Sequence, residues 1–156
     1  MAGLAQKGGA VYSHVVLVGS PEEIVNTRVA MGEADLVLIG DLVVGTSQEA
    51  IARMRPGRTH ALLNSDVAPT AEFITNPNWR LAGGDLQADL AAACGPGRVD
   101  TLDAAALAVK LLGDAIYANP LMMGYAFQKG WLPLGLDALL RAIELNGTQI
   151  ENNLSA

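Results

Sequence analysis

Short apolar runs bounded by glycine or polar residues dominate the first two-thirds of the chain, a pattern typical of buried β-strands. The runs cover Ala10 to Gly19, Asp35 to Gly40, Arg58 to Ser65 and, in a shorter form, Gly97 to Thr101. The second run, DLVLIG, is continuously apolar, as strands of a parallel sheet are. We therefore predict four strands.

Helical spacing takes over between and after these runs. Short helices are predicted over Ser47 to Met54 and Leu86 to Cys94, the latter ended by Gly95-Pro96. A longer helix, capped by Thr101, is predicted to run until Asn119-Pro120, and another from Pro120 toward Lys129. The last has an apolar stripe of Leu136, Leu139, Leu140 and Ile143 and a left-handed stop at Asn146-Gly147.

Strands that alternate with helices indicate an α/β fold. We predict a Rossmann-like, three-layer α/β/α arrangement with a mainly parallel sheet and a helical C-terminal tail. The 156 residues suit a single domain.

Composition narrows the classes of function. Apolar residues make up 51% of the chain and the mean hydropathy is +0.28, so we expect part of the apolar surface to face a partner in an oligomer. The longest apolar stretches, Leu36 to Ile39 and Val15 to Val18, are too short to cross a bilayer, and no signal-peptide pattern precedes them. A cytoplasmic protein without a membrane partner is expected. The net charge of −6 argues against nucleic acid.

Candidate chemistry is sparse. The single cysteine, Cys94, cannot form a disulfide within the chain or hold a metal cluster, and is more typical of a buried apolar residue than of a nucleophile. His14 could relay protons or bond across an interface, although a strand histidine is more often satisfied by a neighbour. Neither histidine belongs to a metal-ligand or triad pattern, so no catalytic or metal-binding residue is expected.

Two polar motifs remain. Gly3-Leu4-Ala5-Gln6-Lys7-Gly8-Gly9-Ala10 places glycines around a lysine, which suits either close approach to an anion or partner surface, or an ordinary entry loop. Asn64-Ser65-Asp66 follows a predicted strand, at the sheet edge where α/β folds bind ligands, but also fits an Asx turn. Asp41 has the matching position after the preceding strand, and it could either contact a ligand or partner or cap the next helix.

An aromatic and methionine cluster lies around the end of a predicted helix. It comprises Met122, Met123, Tyr125, Phe127 and Trp131. A core or a subunit interface explains these residues better than a cofactor site does.

Five segments occur in one order along the chain: GLAQKGGAVYSHV from Gly3, EADLVLIGDLVV from Glu33, LLNSDVAPT from Leu62, GYAFQKGWLPL from Gly124 and AIELNG from Ala142. Together they resemble the gamma domain of the 2-oxoacid:ferredoxin oxidoreductases (the pyruvate/ketoisovalerate oxidoreductase catalytic domain), closest to the indolepyruvate type. By this resemblance residues 1–156 form a single gamma-type domain that lacks the N-terminal glycine-rich strand, turn and helix of the family. That gap predicts an exposed sheet edge near Ala10 to Val18.

The resemblance implies an enzyme that decarboxylates a 2-oxo acid on thiamine diphosphate and Mg²⁺, passes electrons through [4Fe-4S] clusters to ferredoxin and transfers the acyl group to coenzyme A. It places these cofactors in partner domains, one binding thiamine diphosphate and one ferredoxin-like, and implies that the isolated chain is inactive. Gln6, Lys7, Gly8, Gly9 and Asn64 are the candidate contacts to substrate, coenzyme A or neighbouring domains.

Two other functions fit the residues. The chain could be a stand-alone module that binds coenzyme A or a nucleotide at the strand ends, or a non-catalytic structural subunit.

Overall fold

The fold was analysed in a computed structural model that describes residues 10–65 and 83–156. Three parallel strands form its sheet in the order β1 (Leu36–Ile39), β2 (His60–Asn64) and β3 (Val99–Leu102). The register pairs Leu38 of β1 with Leu62 of β2, and Leu62 with Asp100 of β3. The predictions of these three strands are confirmed.

Helices occupy the connections and the C-terminal third. They are α1 (Leu42–Gly45), α2 (Gln48–Ile51), α3 (Gly83–Cys94), α4 (Ala104–Leu112), α5 (Ala118–Gln128), α6 (Leu136–Asn146) and α7 (Ile150–Ser155), with short 3₁₀ helices at Pro21–Glu23 and Ala115–Tyr117. The predicted α/β, Rossmann-like class with a parallel sheet and a helical tail is confirmed. Helix α7 was not foreseen.

One face of the sheet packs against α1, α2 and α3. Ile39 and Leu63 point to this face and meet Leu42, Leu90 and Cys94 in one buried cluster. Helix α1 approaches β1 closely at Gly45. A methyl group added at this residue would lie only 2.3 Å from Ile39 Cγ2. A glycine is therefore needed at this contact.

The other face packs against α4 and α5. Its buried cluster joins Leu62 of β2, Ala104 of α4 and Met122 of α5, and Tyr125 and Trp131 pack against it. The aromatic residues at the end of α5 thus include members of the core, as one of the two sequence readings predicts. Coverage of this face is uneven, since Leu62 is completely buried whereas its neighbour Leu38 on β1 is 42% exposed.

Polar side chains begin several of these helices. Ser47 caps α2 by accepting a hydrogen bond from the Ala50 amide, and Gly147 ends α6 in the left-handed conformation, as expected. The helix predicted over Ser47 to Met54 exists but is only one turn long. The predicted helices at Leu86 to Cys94 and Pro120 to Lys129 are also present, each beginning a few residues earlier.

The helix prediction after β3 was wrong in two respects. Thr101 lies within β3, and the side chain that caps α4 is Asp103, whose Oδ1 accepts from the Ala106 amide. The helix also ends at Gly113, with φ +84°, rather than at Asn119-Pro120. Pro120 instead lies in the first turn of α5, where a missing amide hydrogen costs no helical bond.

The strand predicted over Ala10 to Gly19 is not formed. The segment has the composition of a strand, but no strand among the described residues pairs with it. Tyr12 is its main anchor, packing against the first core cluster and forming a 2.7 Å hydrogen bond with Ser47 Oγ. The sheet edge expected near Ala10 to Val18 is therefore not there, and the outer strands of the described sheet are β1 and β3.

In residues 10–65 and 83–156 no helix has the length and apolar character needed to traverse a lipid bilayer.

Candidate functional site

The carboxyl ends of the three strands carry a polar residue each, and all three are bonded to the start of a helix. Asp41 Oδ1 accepts from the amides of Val43 at 2.8 Å and Val44 at 3.1 Å. Asp103 caps α4, and Asn64 Oδ1 accepts from the Ala104 amide at 3.0 Å. The capping interpretation of Asp41 is confirmed, and this edge positions α1 and α4 on the sheet.

Asn64 is one of the five predicted contact residues. Its side chain is buried, with 8% of the residue exposed, and spans from the end of β2 to α4. The other four, Gln6, Lys7, Gly8 and Gly9, lie outside the described residues, as does Asp66. A role of these residues in contacting substrate, coenzyme A or another domain stays a prediction.

His14 and Cys94 have local partners in the structure. His14 Nδ1 accepts a hydrogen bond from the Val29 amide at 3.2 Å, which agrees with the reading of a histidine satisfied by a neighbour. Cys94 is completely buried, with Sγ 3.7 Å from Met54 Sδ, and burial raises the pKa of its thiol. A buried thiol held protonated is a poor nucleophile.

A second polar group lies near the amino ends of β2 and β3, on the face covered by α5. The His60 and Trp131 rings stack with centroids 4.7 Å apart and an interplanar angle of 21°. Tyr125 meets the Trp131 ring edge-on at 6.1 Å. Asp100 and Lys129 complete this cluster, which we call the His60 cluster.

Asp100 is the acceptor at the centre of the His60 cluster. Its Oδ2 accepts a hydrogen bond from Tyr125 Oη at 2.8 Å and lies 2.8 Å from Lys129 Nζ. Bonds from Lys129 and Tyr125 hold the pKa of Asp100 below its ordinary value, and the hydrogen bond to Asp100 raises the pKa of both Lys129 and Tyr125. The carboxylate thereby joins β3 to the end of α5.

His60 is held neutral in this environment. Arg98 Nη1 lies 2.6 Å from His60 Nε2, and because a guanidinium only donates hydrogen bonds, Nε2 must accept and Nδ1 must carry the proton. Nδ1 is buried without a hydrogen-bond partner among the described residues. Burial first, and then the nearby Arg98 charge, lower the pKa of His60.

Sequence reasoning identified Tyr125 and Trp131 but missed His60, Arg98, Asp100 and Lys129. Two signals in the sequence could have identified this cluster. One is the alternation of polar residues along Arg98-Val99-Asp100, and the other is the polar His60 at the start of an otherwise apolar strand. Apart from His60 Nδ1, these groups bond to one another, and the contacts of Asp100 with Tyr125 and Lys129 fix α5 against the sheet. Protonation of His60 would disturb this attachment of α5 to the sheet, and none of these groups is activated as a nucleophile.

No group of three or more histidine, cysteine, aspartate or glutamate side chains that could hold a metal ion occurs within the two described ranges. The fold and its polar clusters therefore define a Rossmann-like α/β domain whose described polar residues mainly support its own packing.

The particular family is shown by comparison with known proteins. The family model for pyruvate ferredoxin/flavodoxin oxidoreductase matches residues 1–156, the whole chain, and the chain belongs to that family. It is thus part of an oxidoreductase of the 2-oxoacid:ferredoxin oxidoreductase group. No curated protein and no solved structure gives a significant match.

The His60 cluster predicts a pH dependence of stability. Because folding lowers the pKa of His60, its stabilising contribution is complete above about pH 6.5 and is lost as pH falls through the folded pKa. Replacing His60→Gln should therefore make the loss of unfolding free energy between about pH 7 and about pH 5 shallower than in the wild type. Urea denaturation at a series of pH values measures both slopes, and an NMR titration of His60 reports its pKa directly. Parallel profiles, or a His60 pKa above about 6.5, would contradict this assignment.

Proposed function

We propose that the chain is the gamma-type domain of an indolepyruvate-type 2-oxoacid:ferredoxin oxidoreductase, inactive by itself and completed by partner domains. The proposal is supported by the family match over residues 1–156 and by the five ordered segments that resemble the indolepyruvate type. In this role the domain supports thiamine diphosphate-dependent oxidative decarboxylation of a 2-oxo acid to an acyl-coenzyme A, with ferredoxin as the electron acceptor.

The observation that carries this proposal is an exposed apolar segment near the start of the described chain. Its large apolar residues face solvent, with exposed fractions from 38% to 85%; they are Val11, Val15, Val16, Leu17, Val18, Ile24, Val25 and Met31. Scattered exposed apolar residues are normal, whereas a run of this size is typical of a surface that another chain covers. Seven of these eight residues lie between positions 11 and 25, and we call residues 11–25 the apolar segment.

Strand β1 adds a second exposed feature. It pairs with β2 on one side, and on its other side no described strand is bonded to it. All four of its residues, Leu36–Ile39, are apolar, so the edge has none of the charges that normally discourage strand addition. Its Leu38 side chain is half-exposed although a parallel sheet is usually covered on both faces. A partner domain that covers this edge would bury both the open side of β1 and the Leu38 side chain.

The apolar segment can be tested by one charge substitution. Leu17→Asp should weaken association with the thiamine diphosphate-binding domain at least about tenfold, because burying an unpaired carboxylate costs several kcal/mol. Co-purification of the two chains, followed by quantitative binding measurements, gives the change. The domain itself should stay folded, since Leu17 is 49% exposed.

Leu145→Asp is the matched control, because Leu145 is an even more exposed leucine and lies on another element, helix α6. Normal assembly of the Leu17→Asp variant, or equal weakening by both substitutions, would argue against this segment as the interface.

The cofactors of the reaction are assigned to the partner domains. A [4Fe-4S] cluster requires several thiolates, usually four, and this sequence has a single cysteine, which is buried. These residues do not fit such a cluster. We therefore place the iron–sulfur clusters in a ferredoxin-like domain and thiamine diphosphate with Mg²⁺ in a separate domain. This chain's role is to pack against them and to shape access to the thiamine site.

The candidate contacts to the reacting molecules are Gln6, Lys7, Gly8, Gly9 and Asn64. Within this group Lys7 supplies the positive charge that a carboxylate or phosphate requires, and the two glycines permit close approach of the backbone. Asn64 lies at the carboxyl edge of β2, the edge at which open α/β sheets bind ligands.

Lys7→Ala in the assembled enzyme tests these contacts. Loss of one charge-assisted hydrogen bond should lower kcat/KM for the 2-oxo acid or for coenzyme A by about tenfold to a hundredfold. The measurement is steady-state reduction of ferredoxin with indolepyruvate, pyruvate and ketoisovalerate in turn. Lys110→Ala, at an exposed lysine of α4, should leave the constants unchanged. Wild-type constants in the Lys7→Ala enzyme would exclude the contact, and a preference for pyruvate would exclude the indolepyruvate type.

A further inference from the structure

Two arginines line a cleft on the face of the domain next to α2. The cleft has a volume of about 450 Å³ and is bordered by residues 26–31 and by Arg53. Its charged side chains are Arg28 and Arg53, and no carboxylate is among the lining residues. Asn26 and Thr27 supply neutral polar groups. A volume of this size lies within the range of small-molecule sites.

Backbone hydrogen bonds hold Arg53 against one wall of the cleft. The Gly32 amide donates to Ala52 O at 2.9 Å, and the Ala34 amide donates to Arg53 O at 3.0 Å. Residues 26–31 form the other wall of the cleft and directly precede Gly32, and their Val29 amide donates a hydrogen bond to His14. Backbone hydrogen bonds at Gly32 and Ala34 therefore connect the two walls of the cleft.

Both guanidinium groups have donors to spare. Arg53 is largely buried, with 22% of its side chain exposed, and its Nε is buried without a hydrogen-bond partner among the described residues. Its only ion pair there is a long one, 3.6 Å from Nη2 to Glu49 Oε1. Arg28 forms no ion pair or hydrogen bond with any described side chain. Guanidinium donors without a protein acceptor are free to bind an acceptor in the cleft.

Charge elsewhere on the domain makes this cleft distinctive. The net charge is −6, and other described basic side chains form closer ion pairs: Arg58 with Glu33, Lys129 with Asp100 and Arg141 with Glu144. At the cleft, Arg53 has only its long ion pair with Glu49, and Arg28 has no ion pair with a described residue. The two arginines therefore make this cleft a favourable site for an anion on a domain whose net charge is negative.

From this geometry we infer that the cleft between residues 26–31 and Arg53 binds a small molecule through a phosphate group. Two guanidinium groups match the charge of a phosphate and can donate paired hydrogen bonds to its oxygens, whereas a carboxylate brings half the charge and fewer acceptors. Asn26 and Thr27 are placed to bond to the remainder of the ligand. The inference uses neither Lys7 nor Asn64, and its test does not depend on them.

The test is calorimetric titration of the full chain with pyrophosphate, inorganic phosphate and acetate. Pyrophosphate should bind with a Kd of about 1 mM or lower, inorganic phosphate more weakly, and acetate at least about tenfold more weakly than pyrophosphate. Arg28→Gln should weaken pyrophosphate binding about tenfold or more, and Arg53→Gln at least as much. Lys110→Gln, which removes an exposed positive charge on α4, should leave the affinity unchanged.

Arg28 decides the result even where a substitution at Arg53 unfolds the chain, because Arg28 is exposed and has no ion pair with a described residue. Circular dichroism establishes that each variant is folded. Absence of pyrophosphate binding up to about 10 mM, equal binding of acetate, or equal loss in the Arg28→Gln and Lys110→Gln variants would overturn the inference.

Discussion

The position of β2 between two parallel neighbours organises the rest of the domain. Ala61, Leu62 and Leu63 of this strand are at most 1% exposed, and alternate residues serve the two core clusters. Because side chains alternate across a strand, a shift of one residue in the pairing would exchange the two cores. The register of β2 therefore determines which helices cover each face, and it also positions the polar groups at both ends of the strand.

Those two ends are used in different ways. At the carboxyl end Asn64 is bonded to the start of α4, and at the amino end His60 stacks on Trp131 beside Asp100 and Lys129. Both arrangements use polar side chains to attach helices to the sheet. The domain thus employs much of its described polar chemistry for its own construction, which fits a supporting role in a larger oxidoreductase. The unpaired donors of Arg28 and Arg53 differ from this pattern.

Local sequence signals predicted much of the fold and little of the site. The strands β1 to β3 and the stop at Gly147 follow from apolar runs and a glycine, both of which act locally. The prediction at Ala10 to Gly19 was wrong because composition reports the tendency to form a strand but not the presence of a pairing partner. The bond from Arg98 to His60 spans 38 residues of sequence. No local pattern encodes such a contact, which arises only when β2 and β3 pair.

We propose that the apolar segment, residues 11–25, and the open edge of β1 are covered when the domain is part of the complete enzyme. Hydrogen–deuterium exchange measured on the isolated chain and on the assembled enzyme tests it most directly. The account predicts that amides of the apolar segment and of β1 exchange at least about tenfold more slowly in the assembly, while those of β2 are protected in both. Equal exchange of the apolar segment in the two states would contradict it.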